Sequence, residues 1–379
     1  MRSDLIGLTF AEYATWSRAI AGHADRFHRA TYQHLIRTGV HDPRQLPVWT
    51  GADPATLARL AASASTTQLP VISAMRTTGD AATGRTTKLL MRLHDGSEVE
   101  SVLIPRKRGS HHTVCVSSQV GCRMGCSFCH TAKMGLVRSL EAHEIIAQVV
   151  AAGQVARDQG APPPRNVVFM GMGEPLDNLD AVAQAVRVLT DVNGFALAHR
   201  HITVSTVGRI EGLARWHELG LSRVNLAVSL TAADDALRSE LMPVNRTADL
   251  AALKAALLAI PLASDRRLLV SYVLIPGVND GADHAARLLD WVAGLRVLVN
   301  LIPYNPIPSR AWRAPLATEV ESFARILQPT VAVRIRATLG DDVMAACGQL
   351  GDPSVRAAQR PAQPVARSTQ SATIPAGAR

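Results

Sequence analysis

The chain has 379 residues, 47% of them hydrophobic, and a formal net charge of +9. That length allows about two domains with a sizeable core, while the lack of any run near ~20 apolar residues excludes an ordinary membrane span, and the polar start Met1-Arg2-Ser3-Asp4 excludes a secretory signal, so a cytoplasmic protein is expected. The excess of Lys and Arg favours a polyanion such as nucleic acid as partner, through release of condensed counterions, or else reflects a solvated basic surface.

Residues 1–65 carry Phe10, Tyr13, Trp16 and Ile20, then Tyr32, Leu35 and Ile36, at spacings of three and four. This periodicity predicts a small helical domain, and Asp53-Pro54 reads as an N-cap followed by the first helical residue. Residues 66–111 read as a linking region, with Thr77-Thr78-Gly79-Asp80 as a turn and strands over 88–93 and 98–104 joined at Asp95-Gly96. From 112 onward strands and helices alternate. Strands are expected over 112–117, 166–170, 201–205, 223–229, 268–274, 297–302 and 331–336, and helices over 142–156, 179–192, 209–219, 250–259, 281–293 and 318–327. This order predicts an α/β fold, a parallel sheet with helices on its outer face; about six units make a partial, open β/α barrel over 112–351. Residues 352–379, rich in Pro, Ala, Gln, Ser and Arg, read as a disordered tail.

The five cysteines are Cys115, Cys122, Cys126, Cys129 and Cys347. An odd number without a signal peptide argues against a secreted disulfide framework. Cys122, Cys126 and Cys129 have the spacing C-x3-C-x2-C on a loop just after a strand. Three such thiolates can hold three corners of an iron–sulfur cluster and leave one iron open. A zinc site completed by His130 is the alternative, although zinc ligands usually come as two separated pairs. Gly171-Met172-Gly173-Glu174-Pro175 follows an apolar strand; its glycines let backbone approach a ligand, and Glu174 can accept from an amino group, unless the segment is only a tight turn. Ser205, Ser229 and Asn305 fall at or just beyond the carboxyl ends of predicted strands, where ligand sites of parallel α/β folds gather. Cys347 precedes Gly348 and is expected on a turn; taken alone it could equally be a small buried hydrophobe.

The cysteine spacing, with Phe128 before the third thiol, resembles the radical S-adenosylmethionine (SAM) superfamily, in which SAM chelates the open iron and is reduced to a 5′-deoxyadenosyl radical. The wider set resembles the radical SAM RNA methyltransferases that modify adenine at C2 or C8, which include dual-specificity ribosomal and transfer RNA enzymes and the chloramphenicol–florfenicol resistance enzymes. The matching stretches are Cys115 to Cys122, Gly171 to Pro175, Asn300 to Pro306 and Gly340 to Leu350. The resemblance implies that Cys122, Cys126 and Cys129 bind a 4Fe–4S cluster. It implies SAM contacts by Gly173, Glu174, Ser205, Ser229, Leu230, Thr231 and Asn305. Cys347 would receive a methyl group, Cys115 would resolve a covalent RNA–protein adduct through a transient Cys115–Cys347 disulfide, and Glu100 would accept the proton. It further implies 23S rRNA and tRNA as substrates, C2 as the methylated carbon, a donor such as flavodoxin or ferredoxin, and a monomer away from membranes, with the N-terminal helices holding RNA. Arg106-Lys107-Arg108 reads equally as a phosphate contact or as a solvated loop. The chemistry fits these residue types. An adenine ring carbon is electrophilic and cannot attack a methyl donor, whereas a thiolate can.

The chain departs from the family's commonest wording at Thr231, where many members have His, at Leu339, where a basic residue is usual, and over His130 to Gly135. These departures bear on the RNA and on the ring position. A C8 enzyme, a radical SAM enzyme of small molecules, and a non-catalytic iron–sulfur RNA-binding protein are the competing readings; the last needs neither Cys115 nor Cys347.

Overall fold

The computed structural model describes residues 4–351 apart from 23, 40–41, 48–52, 65–68, 80–83, 107–110 and 264–265. Lys107, Arg108 and the expected tail over 352–379 therefore lie outside the described residues. No helix among the described residues is long and apolar enough to cross a membrane.

Three helices open the chain: α1 (Phe10–Ala21), α2 (Asp25–Thr38) and α3 (Pro54–Ser63). Thr9 and Glu12 cap α1 reciprocally, Gly22 and Gly39 end α1 and α2 in the left-handed conformation, and Asp53 caps α3 ahead of Pro54. The aromatic stripe read from the sequence is the packing face, with Tyr13 and Tyr32 buried and their rings 5.4 Å apart.

The sheet runs β1 (Val71–Thr78), β2 (Thr86–Arg92), β3 (Glu98–Pro105), β4 (His112–Cys115), β7 (Asn166–Phe169), β8 (Ile202–Thr206), β9 (Asn225–Ser229), β10 (Leu268–Leu274), β11 (Val297–Pro303) and β12 (Ala332–Ile335). β1 to β4 pair antiparallel, and β4 to β12 pair parallel. The helices between the parallel strands are α4 (Ala142–Asp158), α5 (Leu179–Thr190), α6 (Ile210–Arg215), α7 (Asp235–Leu241), α8 (Leu250–Leu258), α9 (Ala282–Val292) and α10 (Ala317–Leu327). The sheet does not close, so the expected open β/α barrel is the observed fold. Strands such as Leu268–Leu274 are apolar nearly throughout because a parallel sheet under helices is buried on both faces. One core joins the N-terminal helices to the barrel; the Phe10 amide donates to Asp191, and Gln184 donates to the Gly7 carbonyl.

Four features depart from the expected elements. β1 is a third strand in the linking region, which enters the main sheet through the β3–β4 pair instead of standing apart. A small hairpin, β5 (Gln119–Cys122) with β6 (Gly135–Ser139), brackets the cysteine loop. α7 is a further short helix, capped by Asp234. α6 stops at Arg215, because residues 216–221 continue as tight turns.

Candidate active site

The inner face of the barrel carries residues alternate along each strand. In register across it lie Ser205 and Ala227, Ser229 and Ser271, then Ser271 and Asn300. Above the carboxyl ends of these strands is an open cavity, the place where ligands of parallel α/β folds gather. Cys122, Cys126, Cys129, Gly173, Glu174, Ser205, Ser229, Asn305 and Cys347 all line it. Nine of the thirteen residues singled out in the sequence are thus gathered on one wall system.

The cysteine loop is held at both ends. Cys122 closes β5, and Gly121 has φ +74° with the Gly135 carbonyl 1.9 Å from where a side chain would begin, so only glycine fits there. The Ser127 amide donates to the Leu241 carbonyl, and the His130 amide to the Gly348 carbonyl. Burial, and the neighbouring thiols at Cys122 and Cys126, raise the pKa of all three; Cys122 goes to about 12. Thiols held neutral in this way, with Arg123 acting on Cys122 and Arg238 on Cys126, suit a positively charged partner that draws them to the thiolate. Among the described residues no three His, Cys, Asp or Glu side chains converge on one ion-sized point. The three thiols that line the cavity wall, on one C-x3-C-x2-C loop, are a donor set that fits an iron–sulfur cluster.

The glycines of 171–175 are required by contact. A side chain at Gly171 would meet the Val116 carbonyl at 2.7 Å, and one at Gly173, which has φ +103°, would meet Gln119 at 2.6 Å. Glu174 is 2% exposed; its Oε1 accepts from the Leu176 amide at 3.0 Å and its Oε2 from the Val207 amide at 2.9 Å. Burial pushes its carboxyl up to about 7, against the pull of those N–H groups. A cationic amino group in the cavity would draw it back to the carboxylate.

Leu230 and Thr231 do not line the cavity. Leu230 is buried in the core and donates its amide to the Ser271 carbonyl. Thr231 is fully buried in the left-handed region at φ +61°, and its carbonyl accepts from Asn279. Arg238, which no motif marks, is 1% exposed and donates to the carbonyls of Leu230, Ser229 and Val207 and to Asn245 Oδ1. It ties the ends of β8 and β9 together behind Ser229.

After β12 the chain crosses the gap between the two ends of the sheet as a strap over residues 340–351, with Cys347 exposed on a turn. Asn305 Nδ2 donates to the Cys347 carbonyl at 3.0 Å, and Gly348 has φ +84°. Cys115, at the end of β4, shares a smaller cavity with Cys347, Arg336 and Leu339. Burial, then Cys347, raises its thiol to about 12, with Arg336 acting in the opposite sense. All five cysteines are free thiols.

Glu100 stands outside both cavities, in a neighbouring one with Lys88, Met344 and Gly351. Its carboxylate pairs with Lys88 Nζ at 2.9 Å and accepts from the Gly351 amide at 2.8 Å, while Lys88 also donates to the Met344 carbonyl at 3.0 Å. The pair is buried and anchors the strap. Lys88→Met leaves that carboxylate without its counter-charge and is expected to destabilise the protein by roughly 3–5 kcal/mol, read as a lower urea midpoint. Adding Glu100→Leu should recover most of the loss; no recovery would mean that the lysine acts through something other than this pair.

A family model described as the Radical SAM superfamily matches residues 116–289. The chain is 47% identical over 268 residues to the dual-specificity RNA methyltransferase RlmN of Syntrophobacter fumaroxidans, covering 70% of this chain and 76% of that protein. It is 39% identical over 353 residues to the protein so named from Nitratidesulfovibrio vulgaris, covering 92% and 94%. A crystal structure of a radical SAM methyltransferase from Sphaerobacter thermophilus matches with a TM-score of 0.81 at 38% identity, covering 92% of this chain and 99% of that one.

Proposed function

Because the chain belongs to the dual-specificity RNA methyltransferase family of the radical SAM superfamily, we propose that it methylates adenine C2 in 23S rRNA and in tRNA, with Cys347 carrying the methyl group and Cys115 releasing the product. It is a SAM-dependent RNA methyltransferase; the finer assignments rest on one observation, the small cavity that Cys115 and Cys347 share beside the cavity of the three other thiols.

Membership in this superfamily implies an iron–sulfur cluster and SAM. Cys122, Cys126 and Cys129 would hold the cluster, and Gly173, Glu174, Ser205, Ser229 and Asn305 would hold SAM. When bound, the two supply a methyl group and a carbon-centred radical. Every other task falls to the chain. The Cys347 sulfur acts as nucleophile toward a methyl group and becomes a thioether. Asn305, through the Cys347 carbonyl, fixes the turn that presents this sulfur. Once the carbon is joined to the ring, the surplus electron would pass to a one-electron acceptor such as the oxidised cluster, and a base removes the ring proton; Glu100 is the candidate, and it lies next to the strap. The Cys115 thiolate then attacks the Cys347 sulfur, the sulfur–carbon bond breaks with its electron pair on carbon, a proton completes the methyl group, and the methylated base leaves. A reductant must reopen the resulting disulfide, a task for a donor of flavodoxin or ferredoxin type. The N-terminal helices are proposed to hold folded RNA while one base is unstacked, in a cytoplasmic monomer.

Nucleoside mass spectrometry of ribosomal and transfer RNA from cells with and without the gene tests this. Loss of 2-methyladenosine in the deletion is the expected result and identifies the RNA. Loss of 8-methyladenosine would overturn the C2 assignment, and no change in either would overturn the substrate.

A further inference from the structure

Toward the amino ends of the parallel strands, on the same inner face, lies a third crevice. Arg106, Arg200, Arg266, Arg267, Arg334 and Arg336 line it, and among the described residues no Asp or Glu does. Arg266 donates to Asn225 Oδ1 at 2.9 Å. Ion pairs among the described residues are made by other arginines, such as Arg209 with Asp177 and Arg313 with Glu319, and none by Arg106, Arg200, Arg267, Arg334 or Arg336. These five cations, gathered without an acid among the described residues, repel one another, a cost that an anionic occupant removes. They spread from the end of β3 to the edge strand β12, which suits a chain of phosphates better than one small anion.

A second observation points to a ligand independently. Asn300 lies mid-strand in β11, between Ser271 and Arg334 on the neighbouring strands. It is 3% exposed and lines the crevice, yet its amide oxygen has no hydrogen-bond partner among the described residues. Burying an amide oxygen unpaired is costly unless something supplies the donor. An amide offering both donor and acceptor is suited to the edge of a nucleobase. The crevice also borders the reaction site: Met170 lines it, the Cys115–Cys347 cavity and the large cavity alike.

We propose that this crevice seats the RNA strand flanking the target adenine, with its arginines on successive phosphates and Asn300 on the edge of a neighbouring base. The inference rests on the RNA methyltransferase reading and adds where the strand lies. A base drawn between Cys115 and Cys347 brings its neighbours with it, and an unpaired strand is thin enough to follow.

The test uses the full chain with its cluster reconstituted, and a fluorescein-labelled RNA hairpin with unpaired loop adenines. For Arg200→Ala/Arg267→Ala/Arg334→Ala, binding is measured between about 50 and 200 mM salt, where each phosphate contact on a single strand contributes about 0.7 to the slope of log affinity against log salt. The slope should become shallower by about 2, and KM for total RNA from the deletion strain should rise at least roughly tenfold with kcat little changed. Asn300→Leu should raise KM roughly tenfold without lowering Tm, since it removes the unpaired oxygen. An unchanged slope and KM in the triple variant, with the wild type methylating RNA, would overturn the crevice as the strand's seat and leave the function standing. A lower Tm with unchanged KM for Asn300→Leu would make that residue structural and overturn the base contact. A wild type that methylates no RNA would instead sink the functional reading.

Discussion

Cys347→Ala is expected to abolish RNA methylation, by on the order of 10³-fold or more, while leaving the iron content and the visible absorption of the cluster intact. The reason is positional. Cys347 faces the cavity of Cys122, Cys126 and Cys129 but comes from a different part of the chain, on an exposed turn whose carbonyl is held by Asn305. Removing its sulfur deletes no bond that holds the cysteine loop, because the loop is anchored through the Gly348 carbonyl and the Leu241 carbonyl. Cys347→Ser should fail as completely, since a neutral hydroxyl is a far weaker nucleophile than a thiolate. The check is transfer of labelled methyl from SAM to the protein, followed by nucleoside analysis. Near-normal methylation by the alanine variant would remove Cys347 from the reaction.

Cys115→Ala should produce a different failure: the first turnover proceeds and the RNA stays attached. A covalent RNA–protein species, visible on a denaturing gel and removed by ribonuclease, is the expected product. The wild-type thiol is buried at the end of β4 and held neutral, at about 12, chiefly by burial and also by Cys347. Where release limits turnover, the wild-type rate should therefore rise about tenfold per pH unit below that value, as the thiolate fraction grows. The alanine variant should lack this dependence. Its loss of stability should be small, about 1 kcal/mol, because one sulfur leaves little void. Continued multiple turnover with no attached RNA would reduce Cys115 to a packing residue.

The parallel strands were legible because burial on both faces leaves near-continuous apolar runs such as Val297–Ile302, and the helix starts were legible where a local cap dictates them, as at Asp53. β1 was missed because it is largely exposed on both faces and shows no alternation; its place comes from pairing with β2. The β5–β6 hairpin was hidden by its register shift at Val120/Gly121. The cysteine triplet and the glycines of 171–175 could be read because their chemistry is local in sequence. The Lys88–Glu100 anchor, the clamp at Arg238 and the arginine crevice could not, since they form only when the sheet brings distant segments together. Leu230 and Thr231 were placed at the cofactor by position after Ser229, but the backbone turns through a positive φ there and carries both side chains away from the cavity lining.

The strap over 340–351 has a consequence for biosynthesis. Its anchors join Gly351 to Glu100 and Leu350 to Thr131, contacts spanning 251 and 219 positions. Contacts so remote carry the greatest loop-closure cost, and domains assemble from the N-terminus as they are made. Cys347, the proposed methyl acceptor, is therefore delivered after the barrel and its cysteine loop have been synthesised. Because the His130 amide rests on the Gly348 carbonyl, the same late segment also completes the anchoring of the cysteine loop, so the order of translation ties the finishing of the loop to the arrival of Cys347.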